Sequence, residues 1–417
     1  MRYDGIVIGG GAAGMFAAIT AAKRGQNVLL LEKNDRLGRK LLITGKGRCN
    51  VTNNCTGQEV LQNVPRNGRF LYSAMTAFPP EKTMAFFEER GCRLKTERGN
   101  RVFPVTDKSQ SVLDCLQSEL HRQKITVKTA RVRDILTQDG HVTGVRTQDE
   151  EIAANWVILA TGGYARNKDM VARYPVAHYF SNVPHGNVGD GLTAAEKLGA
   201  RNFEHPAVQV VYTSLTNGVG INDESGLIVN DRGERVVNEW SYQYTVSDAI
   251  ARSGSNCAWY ITSGKEPYGG VQYGYKAAVA GKSKDPCAAS IEGLAKKMGC
   301  DPATLQATYD RYCELVERGV DEDFGKPAEF LHPIKGPKFV ALRLHPCVTV
   351  TFGGLETDIS ARVMKPDGSV IPHLYAAGEV AGTGMYGTQY PTCGTSIGSA
   401  LFYGRIAGRA VTDQALL

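Results

Sequence analysis

Ile6-Val7-Ile8-Gly9-Gly10-Gly11-Ala12-Ala13-Gly14 is an apolar run that breaks directly into a glycine turn. A short continuous apolar segment suits a parallel strand buried on both faces. An alanine-rich helix, about residues 15–24, follows and closes at Gly25. A second strand, Val28–Leu31, ends on Glu32. Gly9, Gly11 and Gly14 fall in the G-x-G-x-x-G pattern at a strand–turn–helix junction. The pattern answers three needs: a tight turn, close backbone approach to a pyrophosphate, and close helix–strand packing. The helix N-terminus offers free N–H groups and a positive dipole to phosphates. Glu32, about twenty positions on, suits the ribose hydroxyls of an adenosine. The stretch predicts a βαβ unit that binds a dinucleotide, and by itself does not separate FAD from NAD.

Working outward, the loop Leu37–Asn50 is glycine-rich and basic, with Arg39, Lys40, Lys46 and Arg48. Such a loop can fold over a pyrophosphate and reach a flavin ring. A helix followed by the strand Ile125-Thr126-Val127 is expected within 110–135. The strand Trp156–Ala160 runs into Thr161-Gly162-Gly163, and Gly189-Asp190-Gly191 precedes another alanine-rich helix at about 192–199. From about 207 to 351 the composition changes, with paired aromatics, Trp240, Trp259 and Gly/Lys-rich loops. Pro302–Arg318 shows apolar residues at helical spacing. The first pattern resumes near Gly353-Gly354, continues through Leu374–Glu379, and ends in a helix at about 396–411. The expected organisation is α/β: a Rossmann-type FAD-binding domain (1–206 and 352–417) with an inserted α+β cap domain (207–351). No second G-x-G-x-x-G unit occurs, so a separate NAD(P)H domain is not expected.

The chain has 417 residues, 42% hydrophobic and 22% charged, which excludes a wholly disordered or collagen-like protein. Its net charge of +6 comes without a dense Lys/Arg run, so a nucleic-acid partner is not expected. No apolar stretch reaches about 18 residues, so no membrane span is expected. The 10 cysteines form no CxxC pair. With no signal-peptide pattern, that fits reduced thiols and a cytoplasmic location. No metal site is expected.

Gly9–Gly14 with Glu32, Ala160–Gly163, Gly189–Gly191, Ala376–Glu379 and the tail Gly394–Gly408 together resemble the FAD-dependent fumarate reductase and 3-ketosteroid dehydrogenase superfamily. The N-terminal third, through Gly38–Leu42, Gly47–Asn53 and Arg101–Pro104, is similar to bacterial flavoproteins of the aminoacetone oxidase and bile-acid ene-reductase type. The resemblance implies FAD extended along the first domain, its ring facing the cap. It implies cofactor contacts at Gly9, Gly11, Ala13, Gly14, Glu32, Lys33, Arg39, Lys40, Thr44, Gly45, Arg48 and Asn50. Further contacts are implied at Ala160, Thr161, Gly162, Asp190, Gly378, Glu379, Gly394, Ser396 and Ile397. The last helix, near Ser396 and Ile397, would stabilise negative charge on the flavin.

The sequence departs from the fumarate-reducing pattern where that pattern binds a dicarboxylate. The segment His-His-Thr-Met-Gly-Gly is matched by Thr349-Val350-Thr351-Phe352-Gly353-Gly354, so both histidines are replaced. A further histidine is replaced near Gln209–Tyr212. The acid arginine of Asp-x-x-Phe-Gly-Arg becomes Lys326, and the substrate arginine near the tail becomes Tyr390. A buried dianion needs paired cations. The resemblance therefore implies an apolar, steroid-like or cyclic enone, with hydride passing between flavin N5 and the β-carbon of the activated C=C. Tyr390 is the first candidate to hold the carbonyl or carry the proton, Lys326 the second, and Tyr212 the third. Tyr242, Tyr244 and Tyr386 are candidates only to line the pocket, and His345 is a weaker acid/base candidate. An external donor or acceptor, NAD(P)H or a redox protein, is expected to supply or remove electrons.

Three other readings compete. One is an FAD-dependent amine or amino-ketone oxidase producing peroxide, as the N-terminal resemblance allows. Another is a flavin-linked disulfide enzyme using Cys49 and Cys55, whose spacing is one residue longer than usual. The third is a non-catalytic or RNA-linked flavoprotein.

Overall fold

The computed structural model describes residues 3–413 apart from 65–70, 177, 206–207, 215–224, 265–269 and 383–393. The elements used below, in chain order, are β1 (Gly5–Ile8), α1 (Ala12–Ala22), β2 (Val28–Glu32), α2 (Ser109–Arg122), β3 (Thr126–Thr129), β4 (Val132–Gln138), β5 (His141–Thr147) and β6 (Glu151–Ala153). They continue as β7 (Trp156–Leu159), β8 (Leu227–Val229), β9 (Ala258–Thr262), α3 (Pro302–Arg318), β10 (Phe339–Thr351), β11 (Arg362–Met364), β12 (Val370–Ala376) and α4 (Thr395–Asp413).

The chain divides into two compact units. One comprises Met1–Ala177, Val183–Gln209 and Val350–Leu417, the other His178–Asn182 and Val210–Thr349.

The first unit is built on a sheet of order β11-β12-β7-β1-β2-β3. All neighbours are parallel except β11–β12. Every residue of β1, β2 and β7 is buried, which explains their uninterrupted apolar sequences. Helices α1, α2 and α4 share a core that includes Met15, Phe16, Ile19, Val112, Leu116, Leu401 and Phe402. Small residues let α1 and α4 approach closely. A Cβ on Gly404 would lie 2.4 Å from the Ala13 carbonyl oxygen, and one on Gly408 would lie 2.4 Å from that of Ala17. Strands β4, β5 and β6 form a separate antiparallel sheet that the sequence patterning did not suggest. They are short and largely polar, and within them only Ile135, Val142, Gly144, Val145, Thr147 and Ile152 are buried.

In the second unit β9 pairs antiparallel with both β8 and β10. Helix α3 matches its expected limits because the chain marks both ends. Asp301 caps its N-terminus by accepting from the Thr304 N–H at 3.0 Å, Pro302 opens the first turn, and Gly319 ends it with φ of 69°. Leu305, Tyr312 and Leu315 face the unit's core.

Candidate functional site

The glycine turn meets its three physical demands at separate positions. Gly9 has φ of 109°, and a Cβ there would be 2.3 Å from the Ala160 carbonyl oxygen. A Cβ on Gly14 would be 1.8 Å from the Gly9 carbonyl oxygen, so the helix can start only where that side chain is missing. Gly11 differs, because a Cβ there meets no heavy atom within 4 Å. The space beside Gly11 is open, as a turn built for backbone approach to a ligand requires. Helix α1 begins at Ala12 with no side chain capping it, leaving its first N–H groups for an anion.

Glu32 is buried at the end of β2. Gly10 N–H donates to its Oε2 at 2.7 Å, and the Asn34 backbone and side-chain N–H groups donate to Oε1 at 2.9 and 2.5 Å. A carboxylate has about four lone-pair sites, so the clamped group can still accept from a sugar hydroxyl.

One cleft of the first unit runs past these groups, with about 1230 Å³ of empty space, open solvent included. It follows the carboxyl ends of the parallel strands, where doubly wound folds bind ligands. Lys33 Nζ is 2.5 Å from Asp190 Oδ2, with Arg131 3.5 Å from the other oxygen. Lys40 Nζ is 2.5 Å from Glu379 Oε2, and Glu379 Oε1 accepts from the Thr351 backbone N–H at 2.9 Å. The Thr161 hydroxyl is buried in the cleft wall with no hydrogen-bond partner among the described residues, and a Cβ on Gly191 would lie 2.2 Å from it. An orphaned hydroxyl, an open glycine, an uncapped helix start and a clamped carboxylate fit a dinucleotide bound along this edge.

Of the expected cofactor contacts, Gly9, Gly11, Ala13, Glu32, Lys33, Arg39, Lys40, Thr44, Ala160, Thr161, Gly162, Asp190, Gly378, Glu379, Ser396 and Ile397 line this cleft. The others stand elsewhere. Gly14 packs on Gly9, and Gly394 packs on the Thr52 backbone. Asn50 Oδ1 accepts from Val102 N–H at 3.2 Å, and Gly45 packs against Asn50 and Phe103. Arg48 is paired with Glu97 at 2.5 Å and Asp107 at 2.7 Å and lies over the Phe103 ring. The sequence reading missed Asn34, Ala130, Arg131, Val132, Pro184 and Asn187, which also line the cleft. Ala130 to Val132 had a usable signal, since they follow β3, whose carboxyl end opens on the same sheet edge as Glu32. Asn187 lies just before the Gly189-Asp190-Gly191 turn, and its Oδ1 accepts from the Ala165 N–H at 2.9 Å.

Of the catalytic candidates, Tyr390 and Tyr386 lie outside the described residues. Tyr212 belongs to the strand Val208–Ser214, and its side chain is likewise outside the description. Tyr242 is exposed, and Tyr244 is half-buried. His345 lies with Nε2 3.2 Å from Cys257 Sγ, and burial holds its pKa below the ordinary histidine value.

Lys326 is not a solvated loop residue. It is buried in the second unit, with Nζ 3.2 Å from Glu239 Oε2, 3.1 Å from the Gly226 carbonyl oxygen and 3.3 Å from the Tyr312 hydroxyl. Three partners match the three donors of an ammonium. Arg235 completes the cluster, 2.9 Å from Glu239 and 2.8 Å from Asp321. Burial lowers the Lys326 pKa, while Glu239 opposes that shift. Cys49 is fully buried, and burial pushes its thiol well above the ordinary range, opposite to a redox-active thiolate.

A family model described as the HI0933-like protein Rossmann domain matches residues 3–410. The chain is 29% identical to the vinyl phenol reductase of Lactiplantibacillus plantarum, over 98% of this chain and 96% of that protein. It is also 29% identical to the 3-oxosteroid 1-dehydrogenase of Mycobacterium tuberculosis, over 68% of this chain and 59% of that one. Among solved structures, the open conformation of a flavocytochrome c3 fumarate reductase covers 100% of this chain with 79% of its own, at 26% identity and a TM-score of 0.77.

Proposed function

The chain belongs to the HI0933-like family of FAD-binding Rossmann proteins, and on that premise we propose that it moves a hydride to or from a carbon–carbon double bond conjugated to a carbonyl, in an apolar, cyclic or steroid-like enone. Its relatives are flavin-dependent reductases and dehydrogenases that act on C=C bonds, and its cofactor is FAD. When bound, FAD supplies hydride acceptance or donation at its N5. Glu32, the Gly9–Gly14 turn, Thr161, Lys40 and Glu379 are the residues that would hold it.

One observation carries the substrate class: the cations a dicarboxylate needs are missing or already spent at the matched positions. Thr349 and Val350 stand where the fumarate-reducing pattern has two histidines, and Val350 is buried. The charge of Lys326 is met by Glu239 inside a cluster of two cations and two carboxylates. Bringing a dianion to these positions would cost its desolvation without a compensating pair.

In this proposal Tyr390 donates a hydrogen bond to the activating carbonyl, where negative charge develops, or carries the α-carbon proton. A phenol of ordinary pKa near about 10 suits donation at neutral pH. Lys326 is the second candidate, and to act as an acid it must first release Glu239. Tyr212 is the third. NAD(P)H or a reductase protein supplies the electrons, or an acceptor removes them.

The test is anaerobic reduction of the purified flavoprotein, followed by mixing with fumarate, a ketosteroid enone, a bile-acid enone and an aromatic enone. Reoxidation by an enone and not by fumarate supports the proposal. Reoxidation by fumarate at comparable rate refutes the substrate class. Air oxidation with peroxide release in the presence of an amine, and every enone inert, moves the assignment to an amine or amino-ketone oxidase.

A further inference from the structure

We propose that His141 and His373 form a two-imidazole site for a borderline divalent transition ion of the Cu²⁺, Zn²⁺ or Ni²⁺ class, away from the FAD cleft. His141 opens β5 and His373 lies in β12 of the same unit. Their ring centroids are 5.7 Å apart, with the planes tilted by 40°. At a metal–nitrogen distance of about 2.0–2.1 Å, two imidazoles sharing one ion have centroids about 5 Å apart. The observed separation is within about 1 Å of that.

The backbone at both residues favours this meeting. His141 follows the turn Asp139-Gly140, with φ of 50° and 79°. Its Nδ1 is 3.0 Å from the Asp139 carbonyl oxygen. A carbonyl can only accept, so Nδ1 is the donor of this bond and Nε2 is the ring nitrogen it leaves for a ligand. Metal-binding histidines are commonly oriented by a backbone carbonyl in this way. His373 has φ of 66° inside a strand, a conformation that glycine adopts without strain and histidine does not. The β11–β12 register shifts across this point, from Arg362↔Tyr375 to Met364↔Val370. Such bulges re-aim side chains. A strained histidine brought beside a second one, where glycine would be easier, points to use of its ring.

Among the described residues no group of three or more His, Cys, Asp or Glu could hold a metal. The ion would therefore have two protein ligands, with water at its other positions. Imidazole pairs favour Cu²⁺ most strongly in this series.

The experiment titrates the full-length, tag-free flavoprotein with CuCl₂, read by electron paramagnetic resonance, and with ZnCl₂, read by calorimetry. The variants are His141→Gln, His373→Asn and His373→Gly. Asn and Gly both tolerate the left-handed conformation, so the fold is kept. Expected are one ion per chain with hyperfine structure from two nitrogens, and at least tenfold weaker binding in each variant. His373→Gly should melt no lower than the parent without metal. Unchanged affinity in His141→Gln and His373→Asn, or a copper signal with one nitrogen or none, overturns the proposal.

Discussion

Lys40 and Glu379, 339 positions apart, meet at 2.5 Å and join two segments that line the same cleft. Glu379 is itself anchored to Thr351 through its other oxygen. Lys40→Met should weaken FAD retention by about fivefold, the loss of a partly exposed ion pair worth about 1 kcal/mol. Flavin fluorescence on dilution measures the release. The difference from the parent should shrink in high salt, because exposed charge pairs are screened. Equal retention at low salt would show that the bridge does not serve the cofactor.

The glycine turn separates folding from binding. Gly11→Ala places its methyl in open space, at φ of −81°, which alanine accepts. The melting temperature without flavin should barely change, while FAD binding is lost. Gly14→Ala drives a methyl into the Gly9 carbonyl and should destabilise the fold itself, by about 3 kcal/mol or more. Thermal melts of both apoproteins, with flavin titrations, make the comparison.

Removing the Lys326 ammonium leaves Glu239 and Asp321 with Arg235 alone. Lys326→Met should therefore cost about 3–5 kcal/mol, as breaking a buried pair does. Urea unfolding gives the loss. The pH profile of enone reduction in the folded fraction should keep its shape. A lost basic limb would instead identify Lys326 as the proton carrier.

Glu119 is almost fully buried and held by Lys23, Arg90 and Arg122 at 2.6–3.1 Å. These cations outweigh the cost of burial and bring its pKa down to about 2. A depressed carboxylate contributes stability above its unfolded value, near about 4.3. That contribution is lost as pH falls from there toward about 2. Glu119→Gln should cost about 2 kcal/mol at pH 7, and the gap should narrow steadily between pH 5 and pH 2 in urea denaturation. A gap independent of pH would mean packing, not charge, holds this site.

Much of the first unit was legible in order along the chain. β1, β2 and β7 are apolar runs because both their faces are covered, and Gly9 to Gly14 declare a turn that other residues cannot make. Pro302–Arg318 was legible to its ends because Asp301, Pro302 and Gly319 mark them. The hairpins of β4 to β6 were not, since their strands bury few side chains and alternate weakly. The place of Asn187 in the cleft wall was hidden for a different reason: it depends on a loop folding back onto the sheet edge.

The sequence by itself determined a βαβ dinucleotide unit and the acid at its second strand. These are local patterns, set by sterics and by which side chains must be covered. Only the tertiary structure decided that Arg48 pairs with Glu97 and Asp107 away from the cleft, and that Lys326 is buried against Glu239. It also brought His141 beside His373. Each of these depends on a partner distant in the chain, and the charge or lone pair of a side chain acts on whatever folding places next to it.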